Sequence, residues 1–332
     1  MRQKFNSILT LPAVALTLLA SGCGKENAAT EGNFPADGVI RVSTEVGAMT
    51  KGSCTTDKLK EFDLLVGNDP NIPGQDVSGK YCYQNTKFTL LNGEWTSAVT
   101  MLWQDASSEV TLLAVAPCFP EGERKSISDF HSGVVRPIKV DQTLEDTSAD
   151  LLGWVSIYNF NPANHLDENG RVGIHFTHLL SKLTIVFKLG TEFNRDGVPS
   201  QNIVSDVQVG NVRLEARILL AHLMEPPIFA YGYGPVGVVK PYHTVWTPAN
   251  DKGENCVSEY ECLLAPSDSG SPDRVEIGFK VDGIPYKVAE SIEFHGGKSY
   301  TLTVNAGKDD VVAGTVSVAA WDGQDGGIFE TE

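Results

Sequence analysis

VGIHFTHLLSKLTIVFKL, Val172 to Leu189, is the longest strand-like run in the chain and falls near its middle. Side chains of an extended chain alternate between two faces, so Ile174, Phe176, His178 and Leu180 share one side. From Leu183 the apolar set changes parity and continues as Leu183, Ile185, Phe187 and Leu189. A one-residue slip turns every later side chain over. The sequence therefore predicts a bulge, or a move to another sheet, near Ser181. This marks the hinge between two β domains.

Similar runs recur on both sides of it. Before the central stretch lie VIRVSTEV (Val39 to Val46), FDLLV (Phe62 to Val66), KFTLL (Lys87 to Leu91), EVTLLAVA (Glu109 to Ala116) and VVRPIKV (Val134 to Val140). After it come VRLEARIL (Val212 to Leu219), DRVEIGFKV (Asp273 to Val281), SYTLTV (Ser299 to Val304) and GTVSVAAW (Gly314 to Trp321). In DRVEIGFKV the apolar Val275, Ile277, Phe279 and Val281 alternate with Arg274, Glu276 and Lys280, the signature of a half-buried antiparallel strand. Asn92-Gly93 and Asp282-Gly283 separate such runs and predict type I′ hairpins, whose two central residues both need positive φ. No long segment carries a helical period. The expected class is all-β, with antiparallel β-sandwiches in two domains, residues 39–170 and 171–332, divided near Gly170. Residues 201–240, containing PPIFAYGYGPVGVV, read as a long loop or an irregular edge.

The N-terminus is a targeting segment. Arg2 and Lys4 precede an apolar run from Ile8 to Ala20, too short to span a bilayer as a helix, and Leu19-Ala20-Ser21-Gly22-Cys23 reads as a lipobox. Residues 1–22 are then removed and Cys23 becomes a lipid-bearing N-terminus; the alternative is an ordinary signal peptide cut near the same place. Residues 23–38, polar and small, form a flexible tether. The chain carries 26 Lys plus Arg against 42 Asp plus Glu, a net charge of −16, and −18 without Arg2 and Lys4. Such a balance excludes nucleic acid as a partner and disfavours broad contact with anionic lipid.

Candidate chemistry is sparse. With Cys23 acylated, Cys54, Cys82, Cys118, Cys256 and Cys262 remain. Cys256 and Cys262 are near enough in sequence to bridge a short loop, while buried free thiols are the competing reading. His175 and His178 stand three apart on a strand, so they point to opposite faces and cannot share a metal ion. No G-x-S-x-G, H-E-x-x-H, P-loop or dinucleotide fingerprint occurs, and no cofactor is implied. Tyr231, Tyr233, Tyr242 and Trp246 form either an aromatic platform for stacking on glycan rings or ordinary loop and core surface.

FTHLLSKLTIVF within the central stretch resembles the F-x-H-x-x-x-K-L-x-I strand of the fimbrillin family, type V pilus subunits and related surface lipoproteins. GGKSYTLTVNAGKD (Gly296 to Asp309) resembles that family's G-K-x-Y strand, and VSVAAW (Val316 to Trp321) its closing strand. The resemblance implies two transthyretin-like β-sandwich domains and no enzymatic activity. It implies export as a lipoprotein to the cell outer membrane and pilus, and partnership with other pilus subunits. It further implies proteolytic removal of the first strand and its replacement by a strand from another subunit. Here the first strand matches Val39 to Val46, with Ile40, Val42 and Val46 filling the groove. The family's processing arginine has no counterpart in the following loop, which carries Lys51; Arg41 lies within the strand itself. Two outcomes are thus expected: a Lys-tolerant protease cuts at Lys51, or the strand stays and the protein is an anchor or terminal subunit. The C-terminal end would supply or support the donor strand. A surface lipoprotein that binds host or bacterial glycans or proteins, without polymerising, is the alternative.

Overall fold

The computed structural model describes residues 32–47, 54–67, 81–144, 146–157, 159–221, 224, 226–267 and 272–320. The expected leader of residues 1–22, Cys23, Lys51 and the residues from Trp321 lie outside the described residues. From Gly32 onward the chain forms one compact unit. In chain order its strands are β1 (Val42–Val46), β2 (Glu61–Gly67), β3 (Tyr83–Leu91), β4 (Glu94–Ser97), β5 (Thr111–Ala116), β6 (Val134–Pro137), β7 (Leu152–Val155), β8 (Val172–His178) and β9 (Ser181–Leu189). They continue as β10 (Val204–Leu220), β11 (Ile228–Val239), β12 (Tyr242–Thr247), β13 (Val257–Leu264), β14 (Asp273–Val281), β15 (Ile284–Ile292), β16 (Lys298–Ala306) and β17 (Val311–Ala320). Two short helices, Ile127–Ser132 and Pro162–His165, sit in connections.

The first sheet runs β1-β8-β7-β5-β2-β3-β4. It curls until its ends meet: Trp95 of β4 donates its indole N–H to Thr44 of β1 at 3.1 Å. Inside the curl Phe62 stacks on Phe88 and meets Trp95 and Phe176 edge-on. The outer side of the same sheet carries Leu65, Leu113 and Val115 into a second core shared with the rest of the molecule. That explains why FDLLV and TLLAVA are apolar without alternation, since β2 and β5 are buried on both faces.

The other sheets are β11-β10-β14-β15, with β6 also paired to β10, and β12-β13-β9-β16-β17. They pack face to face. Phe187 of β9 meets Phe279 of β14 with centroids 4.5 Å apart, amid Ile185, Leu302, Val304 and Ile277.

The change of parity falls where one sheet gives way to another. β8 ends at His178 in the first sheet and β9 opens at Ser181 in the third, with Leu179 and Leu180 both buried between them. The boundary at Gly170 is therefore misplaced with respect to the sheets, because it separates β8 from β7, its antiparallel neighbour. β6 from the first half also pairs with β10 in the second. Two ladders are parallel rather than antiparallel, β1 on β8 and β9 on β16. Residues 201–240 are not a loop. They hold β10 and β11, the longest hairpin of the molecule, with β11 as an edge that departs from regular register at Gly210/Val212 and Arg213/Glu215. Both expected hairpin turns have the required geometry, with φ of 52° and 85° at Asn92-Gly93 and 50° and 77° at Asp282-Gly283.

Candidate functional site: the first strand and its seat

β1 alternates as its sequence dictates. Ile40, Val42 and Val46 are buried in the curled core beside Val172, Ile174 and Phe176. Between them Arg41, Ser43 and Glu45 face outward; Arg41 forks onto Asp37 at 2.6 and 2.9 Å, and Glu45 lies 3.2 Å from His175. The Arg41 guanidinium holds the exposed Asp37 carboxyl far below the usual range. Among the described residues the strand has one β neighbour, β8, in register from Val42–Val172 to Val46–Phe176, and just before it Val39 forms an isolated antiparallel bridge with Leu102. Its ends are pinned otherwise. Ile40 N–H donates to Met101 O at 2.9 Å, and Val46 N–H donates to Thr56 Oγ1 at 2.9 Å. The Arg41 carbonyl accepts from Val172 N–H at 2.8 Å, so the peptide bond after Arg41 belongs to a bonded ladder.

Where the chain returns from the loop that carries Lys51, Cys54 N–H donates to Asp150 Oδ2 at 3.0 Å. His178 Nδ1 lies 2.9 Å from the same oxygen, and all three residues are buried. His178 is thus a core residue on the face opposite the exposed His175, as the period of two requires. Burial, then the Asp150 charge, pushes the Cys54 thiol up to about 12, which leaves it without a thiolate at neutral pH. Four residues beyond His178, Lys182 Nζ sits 3.2 Å from Glu261 Oε1, with its side chain only 4% exposed. Thr184 Oγ1 and Tyr242 OH donate to the same carboxylate at 3.3 and 3.1 Å. Burial first, and Glu261 second, raises the Tyr242 phenol. The His and Lys of the central motif therefore each meet a buried carboxylate. Sequence reasoning did not find Asp150 or Glu261, because nothing in their neighbourhoods distinguishes them from the other acidic residues.

The remaining candidates are not brought together. Tyr231 and Tyr233 share a face of β11, where Arg217 lies 5.3 Å over the Tyr233 ring, whereas Tyr242 and Trp246 stand on β12 of a different sheet. Of the two readings open for Cys256 and Cys262, the structure shows buried free thiols and not a bridge. Cys262 lies within β13 and Cys256 directly precedes it, so extended chain separates them by far more than a disulfide reaches. Cys54, Cys82 and Cys118 are also free. Among the described residues no group of three His, Cys, Asp or Glu is placed to hold a metal ion. No helix among them is long and apolar enough to cross a membrane.

A family profile described as fimbrillin-like matches residues 71–321. The chain belongs to the fimbrillin-like family. No curated protein matches it. Among solved structures, a cell-adhesion protein from Bacteroides ovatus superposes with a TM-score of 0.57 at 13% identity, over 86% of this chain and 99% of that one. One from Bacteroides uniformis gives 0.53 at 19% identity, again over 86% and 99%. The tip fimbrial protein Mfa3 of Porphyromonas gingivalis, in a C-terminally truncated form, gives 0.49 at 11% identity over 84% and 99%. At these identities the likeness to the two Bacteroides proteins speaks for the fold alone, and it agrees with the all-β architecture.

Proposed function

We propose that this fimbrillin-like chain is a pilus subunit or pilus anchor, exported as a lipoprotein on Cys23 to the outer membrane and assembled by β-strand donation. The observation that carries the reading is the position of β1, an edge strand with one β neighbour among the described residues and its apolar side chains sunk in the curled core. Taking it away would bare the edge of β8 and the row Val172, Ile174 and Phe176. Such an edge accepts a strand from another chain, through backbone hydrogen bonds and pockets for alternate side chains. Three aliphatic residues like Ile40, Val42 and Val46 recover about 5–9 kcal/mol before ordering costs, at about 1.5–3 each. Lys51, in the loop after β1, is the proposed cutting point. Arg41 is a poor one, because its peptide bond lies in the ladder.

The test is to trim purified protein after Lys51 and follow its size. Trimmed protein should form ladders or fibres while the full chain stays monomeric. A synthetic Val39 to Val46 peptide should block assembly, and the same peptide with Ile40→Asp and Val42→Asp should not. Trimmed protein that stays a folded monomer at high concentration would refute strand donation at this edge. Cys23→Ala should release the protein from the membrane fraction.

A second reading, glycan binding without polymerisation, draws on Tyr231 and Tyr233 side by side on β11, with Tyr233 42% exposed. It predicts oligosaccharide binding that is lost in Tyr231→Ala or Tyr233→Ala. Trp246 and Tyr242 have no part in it, given their place on β12.

A further inference from the structure

The inward side of the stretch from Ile40 to Val46 is not wholly apolar. Ile40, Val42 and Val46 lie in the curled core, whereas Thr44, on the same side of the strand, is half-buried. A period of two calls for another aliphatic residue at that place. VIRVSTEV carries a threonine there instead.

Trp95 supplies the reason. It stands on β4, at the opposite end of the same sheet, and donates its indole N–H to Thr44 Oγ1 at 3.1 Å. The ring is held in place, because it meets Phe62 edge-on with centroids 4.8 Å apart and packs against the core that takes β1. An indole N–H can only donate, so in this partly buried place an oxygen satisfies it and a methyl group does not. The backbone fixes which residue the indole meets. Gly47 N–H and the Arg41 carbonyl bond to β8, while Ile40 N–H and Val46 N–H bond away from it, to Met101 O and Thr56 Oγ1.

We propose that Trp95 selects a hydroxyl at position 44 of whatever strand lies in this seat. β1 obeys the rule in the full chain; its extension to a strand from another subunit rests on the strand donation proposed above. The partner is then a strand parallel to β8 whose inward residues run aliphatic, aliphatic, Ser or Thr, aliphatic. A strand with only aliphatic residues inward could slide by two places and bury the same surface. With one hydroxyl in the row, such a slide sets an aliphatic group against the indole and sinks the hydroxyl where Val42 or Val46 belongs, without a partner. The seat therefore reads register as well as apolarity.

The acceptor for the test is protein trimmed after Lys51, and the probes are synthetic Val39 to Val46 peptides. A Thr44→Ser peptide should bind like the parent peptide. A Thr44→Val peptide should bind about two- to tenfold more weakly, the worth of one hydrogen bond. Val42→Thr together with Thr44→Val keeps the composition and should weaken binding by about tenfold or more. On a Trp95→Phe acceptor the parent and Thr44→Val peptides should bind alike. Equal affinities on the Trp95 acceptor, or the same loss on the Trp95→Phe acceptor, would overturn the selection. If no peptide binds trimmed protein, strand donation at this edge fails, and with it the extension to a second subunit. The full chain tests the rest on its own. There the Trp95 indole N–H should exchange with deuterium about two- to tenfold faster in Thr44→Val than in the parent or in Thr44→Ser. Valine keeps the branched shape and strand preference of threonine, so the fold is retained. An exchange rate unchanged in Thr44→Val would overturn the role of the hydroxyl in β1 itself.

Discussion

Asp150 Oδ2 takes the Cys54 N–H and faces His178 Nδ1, so one buried oxygen ties the return from the Lys51 loop to the end of β8. Its loss leaves two buried polar groups without their acceptor, and such groups carry their full desolvation cost. Asp150→Ala is expected to lower stability by about 3 kcal/mol, and Asp150→Asn by less, because an amide oxygen still accepts one bond. Urea midpoints of the two variants and the parent would measure this; an Asp150→Ala protein of parental stability would mean the contacts are replaceable. The same residues show how far sequence reading goes for single side chains. The opposite facing of His175 and His178 follows from strand geometry alone. Their partners, Glu45 and Asp150, lie 130 and 28 residues away in the chain, and no local pattern connects them. The choice between a Cys256–Cys262 bridge and free thiols is hidden from the sequence for a related reason. Sequence proximity suggested a loop, and the structure stretches the residues from Val257 through Cys262 along one strand.

Elements were legible wherever they kept one parity. Val275 to Val281 alternates without a break, and β14 spans Asp273–Val281. β10 does not keep a parity. Its buried residues run Val204, Val207, Val209, Val212, Ala216, Ile218 and Leu220, shifting phase at the irregularities near Asp206 and Asn211, where φ is 51° and 61°. Each bulge turns the strand over, and a period-of-two search loses the signal there. In β11 the glycines hide the pattern instead. A Cβ at Gly232 would come within 2.9 Å of the Pro266 carbonyl, so close packing replaced the apolar side chain expected of a strand. The type I′ turns were legible because their chemistry is local. Gly93 and Gly283 have open space where a Cβ would stand, yet φ of 85° and 77°. Gly93→Ala and Gly283→Ala should therefore each cost about 1 kcal/mol through backbone conformation alone, with the fold kept. Chemical denaturation with unchanged near-UV spectra would bear this out. A neutral Gly283→Ala would show that the turn relaxes into another type.

Across the molecule as a whole, charge and assembly pull in opposite directions. The balance of −16, or −18 leaving out Arg2 and Lys4, spread over the chain rather than gathered in one block, makes any two copies repel as they approach. The seat proposed for a donated strand is the reverse, a strip of Val172, Ile174 and Phe176 with a bare backbone edge, and its attraction is short-ranged and indifferent to salt. Repulsion therefore governs the encounter, and burial governs the bound state. Screening lengths fall from about 30 Å at 0.01 M to about 8 Å at 0.15 M ionic strength, so added salt should relieve the first without weakening the second. Light scattering by protein trimmed after Lys51 should accordingly grow faster in 0.15 M than in 0.01 M salt, by about tenfold or less, with the final fibres resisting dilution at either strength. A rate that falls as salt rises would instead mean that complementary charged patches bring the subunits together. In that case the apolar edge under β1 would not be the principal contact, and assembly would have to be sought in a charged surface that trimming leaves in place.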